Sequence, residues 1–175
     1  MTQTHSENLM NITYALTVPV FVRHLEALRA LLDKAQAHAE KRKFDAAKFL
    51  DQRLAVDMLP LSSQVTIACD LAKNGAARLA NVERPTFDGA EKTIAAMQAR
   101  IDETLAFLGT LEEASFDGVE ARQVTFPTGG KEMTMTAIDY ARSFSLPNFF
   151  FHCTMAYALL RHAGLALGKS DFLGI

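Results

Sequence analysis

The chain has 175 residues, 49% of them apolar and 22% charged, a balance that predicts one globular domain, 1–175, long enough to bury a core. Its net charge of −2 comes without a basic patch or a Lys/Arg-rich amphipathic helix, which excludes nucleic acid and a membrane surface as expected partners. No run reaches the ~18 apolar residues of a spanning helix, and the polar start MTQTHSENLMN does not read as a signal peptide. Cys69 and Cys153 lie inside helical patterns and read as small core residues rather than a disulfide framework, which points to a reducing, cytoplasmic compartment.

The first helical pattern runs from about Leu9 to Arg42. Val18, Phe21, Leu25, Leu28, Leu32, Ala35 and Ala39 recur at spacings of three and four, one buried stripe. Pro19 interrupts it and predicts a kink or a later true start. Asp45 is the expected N-cap of a short helix that breaks near Met58 to Pro60. The next helix is expected from about Ser62 to Ala80, with Val65, Ala68, Ala72, Ala76 and Leu79 as a small-residue stripe that lets a neighbouring helix approach closely. After the loop NVERPTFDG, a helix from about Asp88 to Leu108 carries Ile94, Met97, Ile101, Leu105 and Leu108, with Gly109 as its stop.

The period then changes. In RQVTFPTGGKEMTMT, Val124 and Phe126, then Met133 and Met135, alternate around PTGG, which predicts a β-hairpin leaning on the helices. The last helix starts near Thr136 as N-cap and runs to about His162, with Pro147 again an interruption. Four long helices with short connections predict an all-α antiparallel four-helix bundle with a small hairpin inserted before the last helix; an irregular all-α fold of the same content is the alternative.

The last helix is too apolar for a bundle surface. Phe149, Phe150 and Phe151 are consecutive, so at 100° per residue they spread over roughly 200° of the circumference. Such a helix is covered on more than one side, by the hairpin, the C-terminal tail or a second subunit, and a homodimer is the expected assembly. The tail GLALGKSDFLGI puts Phe172 and Leu173 after the helix has ended, and is expected to dock.

His152, in PNFFFHCTMAYALLRH, reads as a metal ligand, a catalytic base or a core histidine with a partner. His162 lies ten residues on, ~15 Å along a helix, too far to share a metal with it. The expected partners from other positions are Asp57, Gln64, Asp70 and Asn148; these five residues form the candidate ligand pocket. Asp57 is otherwise expected to cap the Pro60–Ser62 amides, and Asp70 to pair with Lys73 on the helix surface. Neither cysteine has a cationic helper nearby in sequence, and the TGG of Thr128 to Gly130 lacks the lysine, spacing and helix of a phosphate loop.

The stretches VPVFVRHLEAL, LAVDMLPLSSQV, ACDLAKNGAARLA and LPNFFFHCTMAYALLRHAGLALGKSDFLG together resemble an uncharacterised bacterial family, a domain of unknown function, within the DinB/YfiT-like superfamily. The resemblance implies a four-helix bundle of up-down-down-up order, often dimeric. It also implies, in some members, a divalent metal on three histidines and thiol-dependent transferase or hydrolase activity. One of those histidines comes from the second long helix and two from H-x-x-x-H on the last. His152 matches the first of that pair; Ala156 stands where the second belongs, and Cys69 or Asp70 near the third. The three-histidine site does not carry over, and any metal, zinc or nickel, would rest on His152 with Asp70.

Two functions are therefore expected. One is a non-catalytic dimeric bundle with a degenerate metal site that binds a small apolar or thiol-bearing ligand, or another protein. The other is a divalent-metal-dependent transferase or hydrolase using His152 and Asp70.

Overall fold

Helix α1, Ile12–Arg42, begins at a side-chain cap: Asn11 accepts the Tyr14 amide at 2.9 Å. The same side chain donates to the Phe116 carbonyl at 2.6 Å, so one residue starts the helix and ties it to a distant loop. Asn11→Ala removes both bonds and is expected to cost about 1–2 kcal/mol in a urea titration. The computed structural model describes residues 11–87 and 92–175; the expected starts at Leu9 and Asp88 lie outside the described residues. Pro19 neither ends α1 nor delays its start. It sits on the exposed side, where water can reach the Ala15 carbonyl it leaves without a helical donor.

Asp45 does cap, accepting the Ala47 amide at 2.9 Å, but the helix it opens is a single 3₁₀ turn, Ala46–Phe49. Helix α2, Leu61–Ala80, starts without a side-chain cap at Pro60. The Leu61 and Ser62 amides donate instead to the Gln52 and Leu50 carbonyls at 3.0 Å, so the expected Asp57 cap is replaced by backbone and Asp57 stands exposed. Helix α3, Ile94–Leu108, is capped by Thr93. Its buried stripe departs from the expected one: Arg100 and Thr104 are buried, while Leu105 is half-buried.

A second 3₁₀ turn, Glu113–Phe116, leads to β1, Gln123–Thr128, which pairs antiparallel with β2, Lys131–Thr136, Val124 facing Met135 and Phe126 facing Met133. Gly129 and Gly130, at φ +56° and +76°, make the two-residue turn that only this left-handed backbone permits. Val124 and Phe126 are buried against the helices, which is how two strands persist without a larger sheet.

Thr136 caps the last helical run, its hydroxyl accepting from the Asp139 amide. That run is α4, Ala137–Tyr140, then one π-helical turn, Ala141–Ser145, then α5, Leu146–His162. Pro147 therefore does not break the helix. The ring of a proline collides with the carbonyl four residues back, and the wider turn before Pro147 opens that space.

Among the described residues the chain is mostly helical, with one small two-stranded antiparallel sheet. Helices α1 and α2 pack on each other and each packs on both α3 and α5. Val65, Ala68, Ala72, Ala76 and Leu79 of α2 are fully buried, the small residues letting α5 come close. The three phenylalanines separate. Phe149 is fully buried, Phe150 is half-buried with its ring 4.8 Å from that of His24, and Phe151 is 53% exposed. The tail supplies the cover on one side. Helix α6, Lys169–Leu173, packs on α1, where Arg23 donates to the Leu173 carbonyl at 3.0 Å and Lys34 pairs with Asp171. Phe172 then lies beside His24 and Tyr157. Among the described residues no helix is long and apolar enough to cross a membrane.

Candidate functional site

His152 comes from the second turn of α5 and meets Gln64, from the first turn of α2, with Nδ1 2.7 Å from Gln64 Oε1. The Gln64 amide nitrogen donates to the Leu59 carbonyl at 3.1 Å, which leaves its oxygen for the imidazole. An amide oxygen only accepts, so Nδ1 carries the proton and Nε2 presents a lone pair. Gln64 is buried and His152 half-buried. Burial disfavours the imidazolium and holds the His152 pKa below its ordinary value near 6.5. Two exposed apolar residues adjoin the pair: Phe151, whose ring stands edge-on to His152 at 5.2 Å, and Leu59, whose carbonyl holds Gln64 and which is 46% exposed.

The lowered pKa makes stability depend on pH. In the unfolded chain His152 takes up its proton near 6.5, while in the folded chain it does so at lower pH. As pH falls through that window the unfolded state binds more protons, so stability is lost. The expected observation is a His152 ring titration centred below 6.5 by NMR, together with lower stability at roughly pH 5 than at pH 7.5, a difference reduced in His152→Gln.

The other expected members of the pocket lie elsewhere. Asn148 donates to the Phe144 carbonyl at 2.9 Å, closing the π-helical turn rather than reaching His152. Asp57 is exposed. Asp70 is six residues beyond Gln64, a rotation of about 600° that puts it on a different face of α2. There it pairs with Lys73 at 3.0 Å, and Lys73 is buried, not the surface partner expected. His152 and Gln64 come together; Asp57, Asp70 and Asn148 do not join them.

This geometry does not fit a three-ligand metal site. His152 Nε2 is one sound donor. Asp70 is taken by Lys73, and burial with the neighbouring Cys69 drives the Cys153 thiol far above its ordinary pKa, keeping it protonated. Among the described residues no three or more His, Cys, Asp or Glu side chains gather as ligands. The two cysteines are buried thiols, not a disulfide.

A second polar cluster is not evident from sequence reasoning. Lys73 and Arg100 both lie over the Phe87 ring, at 4.3 and 5.2 Å, in a cavity between α2 and α3 that Arg84 also lines. One signal is present: Arg100 falls three residues after Met97 and one before Ile101, on the apolar stripe of α3, where a cation needs a reason to be.

The mostly helical chain, with a hairpin before a π-interrupted last helical run that carries His152, is similar to DinB family proteins. A crystal structure of a DinB family member from Shewanella denitrificans is similar at 41% identity, with a TM-score of 0.86, over 93% of this chain and 92% of that one. The model of a domain of unknown function (DUF1993) matches residues 13–173. The chain belongs to that family, within the DinB-like group. Comparison with curated proteins gives no match.

Proposed function

We propose that the chain is a non-catalytic homodimeric binding protein with a degenerate metal site. Helices α1, α2, α3 and α5 form an antiparallel up-down-down-up bundle, and a small apolar or thiol-bearing ligand docks against His152. The observation that carries this reading is the Gln64–His152 hydrogen bond, which fixes the tautomer and leaves Nε2 as an acceptor on a half-buried ring that stands edge-on to the exposed Phe151. An acceptor beside an exposed aromatic ring suits a ligand with an apolar body and a single S–H, O–H or N–H donor. Dimerisation would cover the apolar residues Val56, Leu59 and Phe151, which are exposed in one copy.

The test is calorimetric titration with benzyl mercaptan and with toluene, which lacks the donor, alongside sedimentation equilibrium. Wild type is expected to bind the thiol saturably and more tightly than toluene. His152→Ala is expected to fold but to lose that preference, and Phe151→Lys to turn a dimer into a monomer. A strictly monomeric wild type overturns the dimer. Stoichiometric zinc or nickel in protein purified without a tag, with chelation lowering its thermal stability, overturns the non-catalytic reading in favour of a metal-dependent transferase or hydrolase.

A further inference from the structure

We infer that the free edge of β1 is a docking site for an extended peptide segment of another protein, one that carries a single acidic side chain. The sheet gives each strand one partner, so β1 keeps an outer edge. Antiparallel pairs alternate between those that exchange backbone hydrogen bonds and those that do not. The Ala137 amide donates to the Arg122 carbonyl at 2.8 Å, which sets the phase. Arg122, Val124 and Phe126 turn their backbone groups to β2, and Gln123, Thr125 and Pro127 turn theirs outward. Among the described residues no group bonds the outward amides of Gln123 and Thr125. Both residues are exposed, and both border a cavity of about 520 Å³ between β1 and the chain that follows α2. Two outward N–H and C=O sets, two residues apart on a strand, are met together by another extended backbone, as in strand addition to a sheet edge. Pro127 has no N–H, so the pairing ends at Thr125 and the segment is short. The helical side of the cavity is preformed. Arg122 Nη2 donates to the Arg78 and Leu79 carbonyls at 2.8 and 2.7 Å, and Arg78 donates to the Tyr140 hydroxyl at 3.2 Å, so both arginines tie the end of α2 to the hairpin and α4. Arg84 is different. It is exposed on the far wall and, among the described residues, makes no hydrogen bond or ion pair. Its guanidinium fork suits a carboxylate. Glu83 lies beside it on that wall and repels a run of acidic residues, which leaves one as the match.

The probe is the blocked peptide acetyl-TVEVT-amide, titrated into the full-length chain and followed by ¹H–¹⁵N NMR. The expected result is saturable one-to-one binding, with slowed hydrogen exchange at the Gln123 and Thr125 amides. The fully N-methylated peptide, which has no N–H to pair, is expected to bind at least tenfold more weakly. The neutral peptide acetyl-TVQVT-amide is expected to bind severalfold more weakly than the acidic one, a difference that Arg84→Gln erases. Thr125→Pro removes the outward amide and leaves the bonds to β2 in place, so it should lose at least tenfold in affinity; circular dichroism checks its fold, and the methylated peptide tests the same pairing in wild type. Equal binding of the methylated and unmethylated peptides, or no saturable binding to wild type, overturns the site. Equal binding of the neutral and acidic peptides overturns the acidic assignment. Protection of the two amides that rises with protein concentration without peptide overturns the peptide in favour of a second copy on this edge. His152→Ala is expected to bind the peptide as wild type does, so failure of the His152 reading leaves this result unaffected.

Discussion

Phe149→Ala is expected to lower the free energy of unfolding by about 3–5 kcal/mol, the range for emptying a fully buried aromatic site. Phe149 has no exposed surface, stands edge-on to Phe21 at 4.9 Å, and borders His24 and Phe150. The loss combines transfer of the ring to water, the cavity left between α1 and α5, and the edge-to-face contact itself. Phe151→Ala, two residues further along α5, is the internal control. Phe151 is 53% exposed, so in the monomer its truncation should change stability little. The chain has no tryptophan, so urea titrations followed by far-UV circular dichroism are the measurement. Equal losses at the two positions would mean that α5 does not face the core as described.

Gly75→Val is the second large effect, expected to cost about 2–3 kcal/mol through overpacking. A Cβ on Gly75 would fall inside van der Waals contact of Ser145 Oγ and would sit 3.6 Å from the Phe21 ring. Ser145 is fully buried, and among the described residues its hydroxyl has no hydrogen-bond partner. It belongs to the π-helical turn, so α2 must present a glycine where that wider turn presses on it. Ser145→Ala should be tolerated alone and should recover part of the Gly75→Val loss. The double-mutant cycle measures that coupling, which vanishes if the two helices do not touch there.

How much of the fold is legible in the sequence depends on the range of the interaction. Local rules locate the Asp45 and Thr136 caps, the Gly129–Gly130 turn and the α2 stripe, because each is set by neighbours a few residues away. Pro147 announces an interruption but not its form. Whether a helix breaks or widens there depends on the space α2 leaves at Gly75, a contact seventy residues distant in sequence. The uncapped start of α2 escapes local rules for a similar reason: the carbonyls of Leu50 and Gln52 reach its amides only once the 3₁₀ turn has folded back.

The candidate site shows the same division. His152 is conspicuous as a polar residue in an apolar run, but its partner depends on how α5 slides against α2, and that register brings in Gln64. Helix geometry alone separates Asp70 from Gln64, since residues six apart on one helix face different ways. Lys73 and Arg100 are hidden because a surface ion pair and a buried one look alike in sequence; only the packing of α2, α3 and Phe87 distinguishes them.

The central claim is that Gln64 fixes His152 with a proton on Nδ1 and a free acceptor at Nε2, for a ligand rather than for a metal. The most direct measurement is the long-range ¹H–¹⁵N spectrum of the His152 ring, at a pH where it is neutral, before and after one equivalent of zinc. The expected result is a protonated Nδ1 and a bare Nε2, unmoved by zinc. A proton on Nε2, or an Nε2 signal that shifts to saturation at one zinc per chain, would contradict it.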